Sequence, residues 1–151
     1  ETIGLSDGRG KRMALVMDRA ALAAFLVRDF GQVSADFAVD RADEAGVTLR
    51  LLVAERHLRP GGTVSGPAMF GLADVAVYLA ILSRIGPVAL AVTTNCTIDF
   101  MRKPAAGRDL IGSARLLKLG RVLAVGDVLV YSDGVADPVA RASLTYSIPP
   151  K

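Results

Sequence analysis

The chain has 151 residues, enough for one domain that buries most of its apolar surface and cramped for two. Hydrophobic residues make up 52% and charged residues 22%, which excludes a disordered chain and leaves more to hide than one core, as in a homo-oligomer. The net charge of +3 comes from scattered Lys and Arg with no basic run among aromatics, which argues against nucleic acid and suits a small anionic ligand.

Residues 1–16 read as a loose tail, with Gly4, Gly8, Gly10, Lys11 and Arg12 in place of the apolar core of a signal peptide, and with Met13 as an alternative start. Leu22, Phe25, Leu26 and Phe30 recur at helical spacing and predict a short amphipathic helix within 17–30, ended by Gly31. A strand from Val33 to about Arg41 follows. The turn residues Asp43-Glu44-Ala45-Gly46 then lead into alternating Val47, Leu49, Leu51 and Val53, a second strand reaching His57, so the pair forms a hairpin. Pro60-Gly61-Gly62 breaks it. Ser65-Gly66-Pro67 opens a long helix to about Arg84, stopped by Gly86-Pro87. Four strands complete the chain: Ala89 to Met101, Leu110 to Leu119, Val122 to Tyr131 and Pro138 to Ile148. In the first of these, Val92, Thr94, Cys96, Ile98 and Phe100 share one face, read as core, while Thr93, Asn95, Thr97 and Asp99 share the polar one.

The long helix has no polar face, and Asp74, two turns inside it, is the only charged residue between Arg59 and Arg84. A carboxylate in such a place costs several kcal/mol unless it is hydrogen-bonded, protonated or used. The apolar run is short for a membrane span and carries Asp74 near its middle, so it reads as a buried core helix. A curved antiparallel sheet wrapped round one helix gives an α+β domain covering the whole chain. One sheet cannot cover every side of the helix, so its remaining face, with Asp74 near it, is expected to meet a second subunit.

His57-Leu58-Arg59-Pro60-Gly61, then Ser65-Gly66-Pro67, then Leu72-Ala73-Asp74 resemble in order and spacing the hotdog-fold acyl-CoA thioesterases of the phenylacetate-pathway (PaaI-like) family. The segment from Ala91 to Pro104, Leu119-Gly120-Arg121 and the closing Ala142-Ser143-Leu144-Thr145-Tyr146 extend the likeness over about Val47 to Ile148. The resemblance implies hydrolysis of an acyl-CoA to a carboxylic acid and free CoA. Asp74 would be nucleophile or general base, and the Gly66 N–H the oxyanion donor, with the two supplied by opposite subunits. Thr93 falls where relatives place a hydroxyl that orients the water or the carboxylate. Ser65 and Pro67 replace the His and second Gly of the family's His-Gly-Gly, and Arg59 stands where many relatives carry Asn.

Other residues have competing readings. His57 is the only histidine and reads as a structural hydrogen-bonder that holds the turn before Gly66, or as part of the substrate site. Ser65 reads as a helix cap or a substrate contact. Phe70 and Tyr78, one turn either side of Asp74, line an acyl pocket or pack in the core. Arg84, Arg102, Lys103, Arg108, Lys118 and Arg121 offer contacts to CoA phosphates or form a solvated rim. Cys96, the only cysteine, reads as core, rules out an intramolecular disulfide and suits a reducing cytoplasm. With one Cys and one His no zinc site is expected, and the reaction needs no cofactor beyond the coenzyme A of its substrate. The expected assembly is a homodimer or homotetramer with sites at the dimer interface, and the expected partner is acyl-CoA, with neither membrane nor nucleic acid. The alternative is a non-catalytic acyl-CoA binding module on the same fold.

Overall fold

The computed structural model describes residues 14–150. The tail expected over 1–16 therefore lies outside the described residues as far as Met13. Its last residue is not loose, because the Val16 and Met17 N–H groups both donate to the Ser83 carbonyl, at 2.6 and 3.2 Å. Helix α1 (Arg19–Asp29) is capped by Asp18, whose carboxylate accepts from the Ala21 N–H at 2.9 Å, and it buries Leu22, Phe25 and Leu26.

Strands β1 (Phe37–Asp43) and β2 (Gly46–Leu51) form the expected hairpin, its turn held by the Ala45 N–H donating to the Asp43 carboxylate at 2.8 Å. Two of its outer boundaries differ from the sequence reading. A 3-10 turn, Ser34–Asp36, occupies the start given to the first strand, and β2 stops at Leu51, leaving His57 in a second 3-10 turn, Glu55–His57. Side chains capture the donors that a longer β2 would give to a neighbour. The Val53 N–H goes to Asp109 at 3.0 Å and the Ala54 N–H to His57 Nδ1 at 2.9 Å.

Helix α2 (Gly66–Ile85) starts at the cap Ser65, whose hydroxyl accepts from the Ala68 N–H at 3.3 Å, and ends at Gly86. Such a cap contributes about 1 kcal/mol. Strands β3 (Val92–Phe100), β4 (Leu110–Leu119), β5 (Leu123–Ser132) and β6 (Ala140–Ser147) join the hairpin in one antiparallel sheet of order β1-β2-β4-β5-β6-β3. β4 has the expected bounds, while β3 begins at Val92 rather than Ala89.

α2 beds on this sheet with Leu72, Val77, Leu79, Ile81 and Leu82 fully buried, which is the α+β arrangement expected of the sequence. Gly126 of β5 lets it come close, since a Cβ there would stand 2.9 Å from the Val77 side chain and 3.1 Å from the Arg115 carbonyl. By length and composition α2 is apolar enough to cross a membrane, but most of it is buried inside the protein, as the core helix of a soluble fold is. One stripe stays open: Pro67 and Phe70 are exposed and Gly71 and Asp74 half-buried, at the spacing of a single helix face. β3 is an edge strand beside it, with unpaired backbone groups along its free side.

Candidate active site

Asp74 receives two hydroxyls on one oxygen. Thr93 Oγ1 donates to Oδ1 at 2.5 Å, and the Tyr146 hydroxyl reaches the same oxygen at 2.6 Å and the Asp74 carbonyl at 2.9 Å. Thr93 points inward because β3 is bulged. It pairs with Tyr146 while Asn95 pairs with Thr145, so Thr94 is the extra residue and the facing of side chains changes across it. The single alternating face expected for β3 is therefore corrected: Val92 is 56% exposed rather than core, and Thr93 faces inward rather than sharing the outer face of Thr97 and Asp99. Cys96 is half-buried, and burial, with the Asp74 carboxylate nearby, pushes its thiol up, which keeps it a protonated thiol.

The carboxylate opens into a cavity of about 350 Å³ that Tyr78, Val75, Thr93 and Tyr146 share with Phe30 and Gln32. Tyr78 lines this cavity and, 5% exposed, also packs in the core. Its hydroxyl donates to the Ala89 carbonyl at 2.9 Å, and burial followed by the Asp29 charge pushes it up to about 12. Its ring stacks on Tyr146 at 6.1 Å and meets Phe25 and Phe30 at 6.0 and 5.9 Å. Phe70 does not line this cavity; it lies on the open stripe of α2, 39% exposed.

Gly66 lines a separate cavity of about 490 Å³ with Arg59, Met69, Phe100, Arg102 and Lys103. The first turn of α2 leaves one free donor there. Pro67 has no N–H, the Ala68 N–H is taken by Ser65 Oγ and the Met69 N–H by the Ser65 carbonyl at 3.1 Å, while the Gly66 N–H has no partner among the described residues. The Phe100 ring lies where a Gly66 side chain would project, 3.3 Å from an added Cβ. Arg59, Arg102 and Lys103, all candidates from the sequence, line the same cavity as this donor. Arg102 also donates to the Pro138 carbonyl at 2.9 Å.

The remaining candidates lie elsewhere. His57 is buried. Its Nδ1 accepts from the Ala54 N–H, which puts the proton of the neutral ring on Nε2; that atom is 3.4 Å from Asp36 but makes no hydrogen bond. The His57 carbonyl accepts from the Ser65 N–H at 2.8 Å, so this residue holds the turn before Gly66. Ser65 is the cap of α2 and lines neither cavity. Arg84 is buried and donates to the Asp43 and Glu44 carbonyls, which corrects its reading as a phosphate contact. Arg108 donates to the Asp133 carbonyl, and Lys118 and Arg121 flank the β4–β5 turn, outside both cavities. A larger groove of about 730 Å³ crosses the solvent face of the sheet. Its charges are engaged in ion pairs, Arg141 with Asp99 at 3.0 Å, Arg115 with Asp127 at 3.6 Å and Arg41 with Asp43 at 3.3 Å. Among the described residues no cluster of His, Cys, Asp or Glu is placed to hold a metal ion. Phe30, Gln32 and Tyr146 were not among the sequence candidates for the site.

The thioesterase superfamily model matches residues 61–138, from the loop before α2 to the segment just before β6. Among solved structures, a candidate thioesterase of Silicibacter sp. TM1040 is 59% identical over 91% of this chain and 96% of its own, with a TM-score of 0.86. The phenylacetic acid degradation protein PaaI of Thermus thermophilus, in a mutant form, is 29% identical over 79% and 99% of the two chains, with a TM-score of 0.67. The Escherichia coli PaaI protein, at 24% identity over 85% and 96% and a TM-score of 0.69, shares the fold. No curated protein matches. A family match over half the sequence, joined to a helix-in-sheet architecture common to all three structures, means that this chain belongs to the thioesterase superfamily and is a thioester hydrolase of the PaaI-like hotdog type.

Proposed function

We propose that the protein hydrolyses acyl-CoA thioesters at a site shared by two copies of the chain. The observation that carries this reading is the separation of two half-sites. Gly66 and Asp74 are eight residues apart on one helix, roughly 12 Å at the helical rise, whereas reacting groups must stand about 3–3.5 Å from the carbonyl. They cannot serve one thioester within one chain. Each half-site, however, borders one end of the edge strand β3, Phe100 beside Gly66 and Thr93 beside Asp74. If two copies pair β3 against β3 about a two-fold axis, the Phe100 end of one lies beside the Val92 end of the other, and each Gly66 faces the opposite Asp74. The exposed Val92, Phe100 and Phe70 and the open stripe of α2 give such an interface its apolar surface.

In the complete site the Gly66 N–H, at the positive end of α2, stabilises the oxyanion formed at the thioester carbonyl. Asp74 attacks the carbonyl carbon or takes a proton from the water that does. The C–S bond breaks, the sulfur leaves as the thiolate of coenzyme A, and water supplies the oxygen of the product acid. Arg59, Arg102 and Lys103 surround the Gly66 half-site with positive charge suited to CoA phosphates. The acyl group then enters the Asp74 cavity, walled by the rings of Phe30, Tyr78 and Tyr146. This chemistry needs no metal or organic cofactor, and a single half-buried cysteine suits a reducing cytoplasm.

The test is release of free thiol from a panel of CoA esters, short to long aliphatic together with phenylacetyl and hydroxybenzoyl. Turnover of one class above the others is expected, with the preferred acyl group matched to a cavity of about 350 Å³. Binding of acyl-CoA with no thiol release from any member would contradict the reading.

A further inference from the structure

We infer that Tyr146 is a positioning residue for Asp74, fixing Oδ1 so that Oδ2 alone is presented to the thioester or its water. The inference rests on the proposed hydrolysis and gives the hydroxyl of Tyr146, whose ring walls the acyl cavity there, a role of its own.

The geometry is one-sided. Both hydroxyls fall on Oδ1, and no hydrogen bond from the described residues reaches Oδ2. A carboxylate held by two donors on one oxygen loses its freedom to rotate, and its other oxygen keeps its lone pairs for reaction. Tyr146 is suited to this work by its own surroundings. It is cross-strand partner to Thr93, so both side chains leave the sheet on the same inner face just before the bulge at Thr94. Its ring stacks on Tyr78, which is itself tied to the Ala89 carbonyl. Burial, then the charge of Asp74, pushes the Tyr146 hydroxyl far above its ordinary value, so it stays a proton donor at any working pH.

Removing that one oxygen should change chemistry without changing the fold. Tyr146→Phe keeps the ring and its stacking on Tyr78. The expected result is an unchanged thermal midpoint and oligomeric state, KM within about twofold, and kcat lower by about 10- to 100-fold. The loss should fall on kcat with KM held, the split expected when a reacting carboxylate is misaimed in a pocket that still binds its substrate.

Thr93→Val removes the other hydroxyl and should lower kcat with KM held in the same way, a split that a merely structural tyrosine would not share. A Tyr146→Phe protein with the kcat and KM of the parent would overturn the inference and leave the hydrolase reading standing. So would one whose thermal midpoint falls while kcat and KM stay in place. A parent that releases no thiol from any acyl-CoA would remove the hydrolase reading and this inference together.

Discussion

Replacing Asp74 by Asn should lower kcat by about 10³-fold or more while the fold, the oligomer and acyl-CoA binding are kept, because a neutral amide can neither attack the carbonyl nor take a proton from water. Asn is the informative choice. Its carbonyl oxygen can still accept from Thr93 and Tyr146, whereas Ala would leave both hydroxyls without their acceptor at a cost of about 1–3 kcal/mol each if they stay dry. A large kinetic loss in Asp74→Asn with an unchanged thermal midpoint therefore reports chemistry and not folding. Thiol release within tenfold of the parent would contradict the role given to Asp74.

At the other half-site the group to delete is a backbone N–H, and the local sequence allows it. Gly66 is not at positive φ, and Ser65 before it has ψ 158°, the extended conformation that a following proline prefers. The Gly66 N–H makes no helical hydrogen bond, so Gly66→Pro should leave α2 in place and remove only the free donor. Loss of an oxyanion donor costs about 10²–10³ in kcat. Gly66→Ala is the matched comparison. It keeps the N–H, and its Cβ meets only the far end of the half-exposed Phe100 ring at 3.3 Å, a side chain able to move aside. Activity within a few-fold for Ala and a collapse for Pro assigns the effect to the N–H. Equal losses in the two would assign it to crowding against Phe100.

Much of this arrangement is legible in the sequence because it rests on local signals. A serine cap, a proline in the first turn and an unbroken apolar run define α2 and isolate Asp74 within it; alternation and turn residues define β4, β5 and β6. The failures share a physical cause as well. The bulge at Thr94 depends on how β3 pairs with β6, and no periodicity within β3 reveals the change of facing that turns Thr93 inward and Val92 outward. His57 continued an apparent strand, yet its own ring nitrogen captures the Ala54 N–H and closes a 3-10 turn. Arg84 reads as a surface cation at a helix end and is in fact buried against the β1–β2 turn. Tyr146 carries a local signal of its own. It continues the inward alternation Ala140, Ala142, Leu144 along β6, and a hydroxyl at such a position needs a buried partner. That the partner is Asp74 follows only from the fold.

The central claim is that one chain holds two incomplete halves of a hydrolase site, and a mixture of two disabled chains tests it most directly. Gly66→Pro and Asp74→Asn proteins would be co-refolded in equal amounts, hetero-oligomers verified by native mass, and thiol release from the preferred acyl-CoA compared with each variant alone. With isologous dimers and random pairing, half of the dimers are mixed, and each mixed dimer has one site with both groups intact, so about a quarter of the parent activity should return. A mixture no more active than the better variant, with hetero-oligomers present, would contradict the two-chain site.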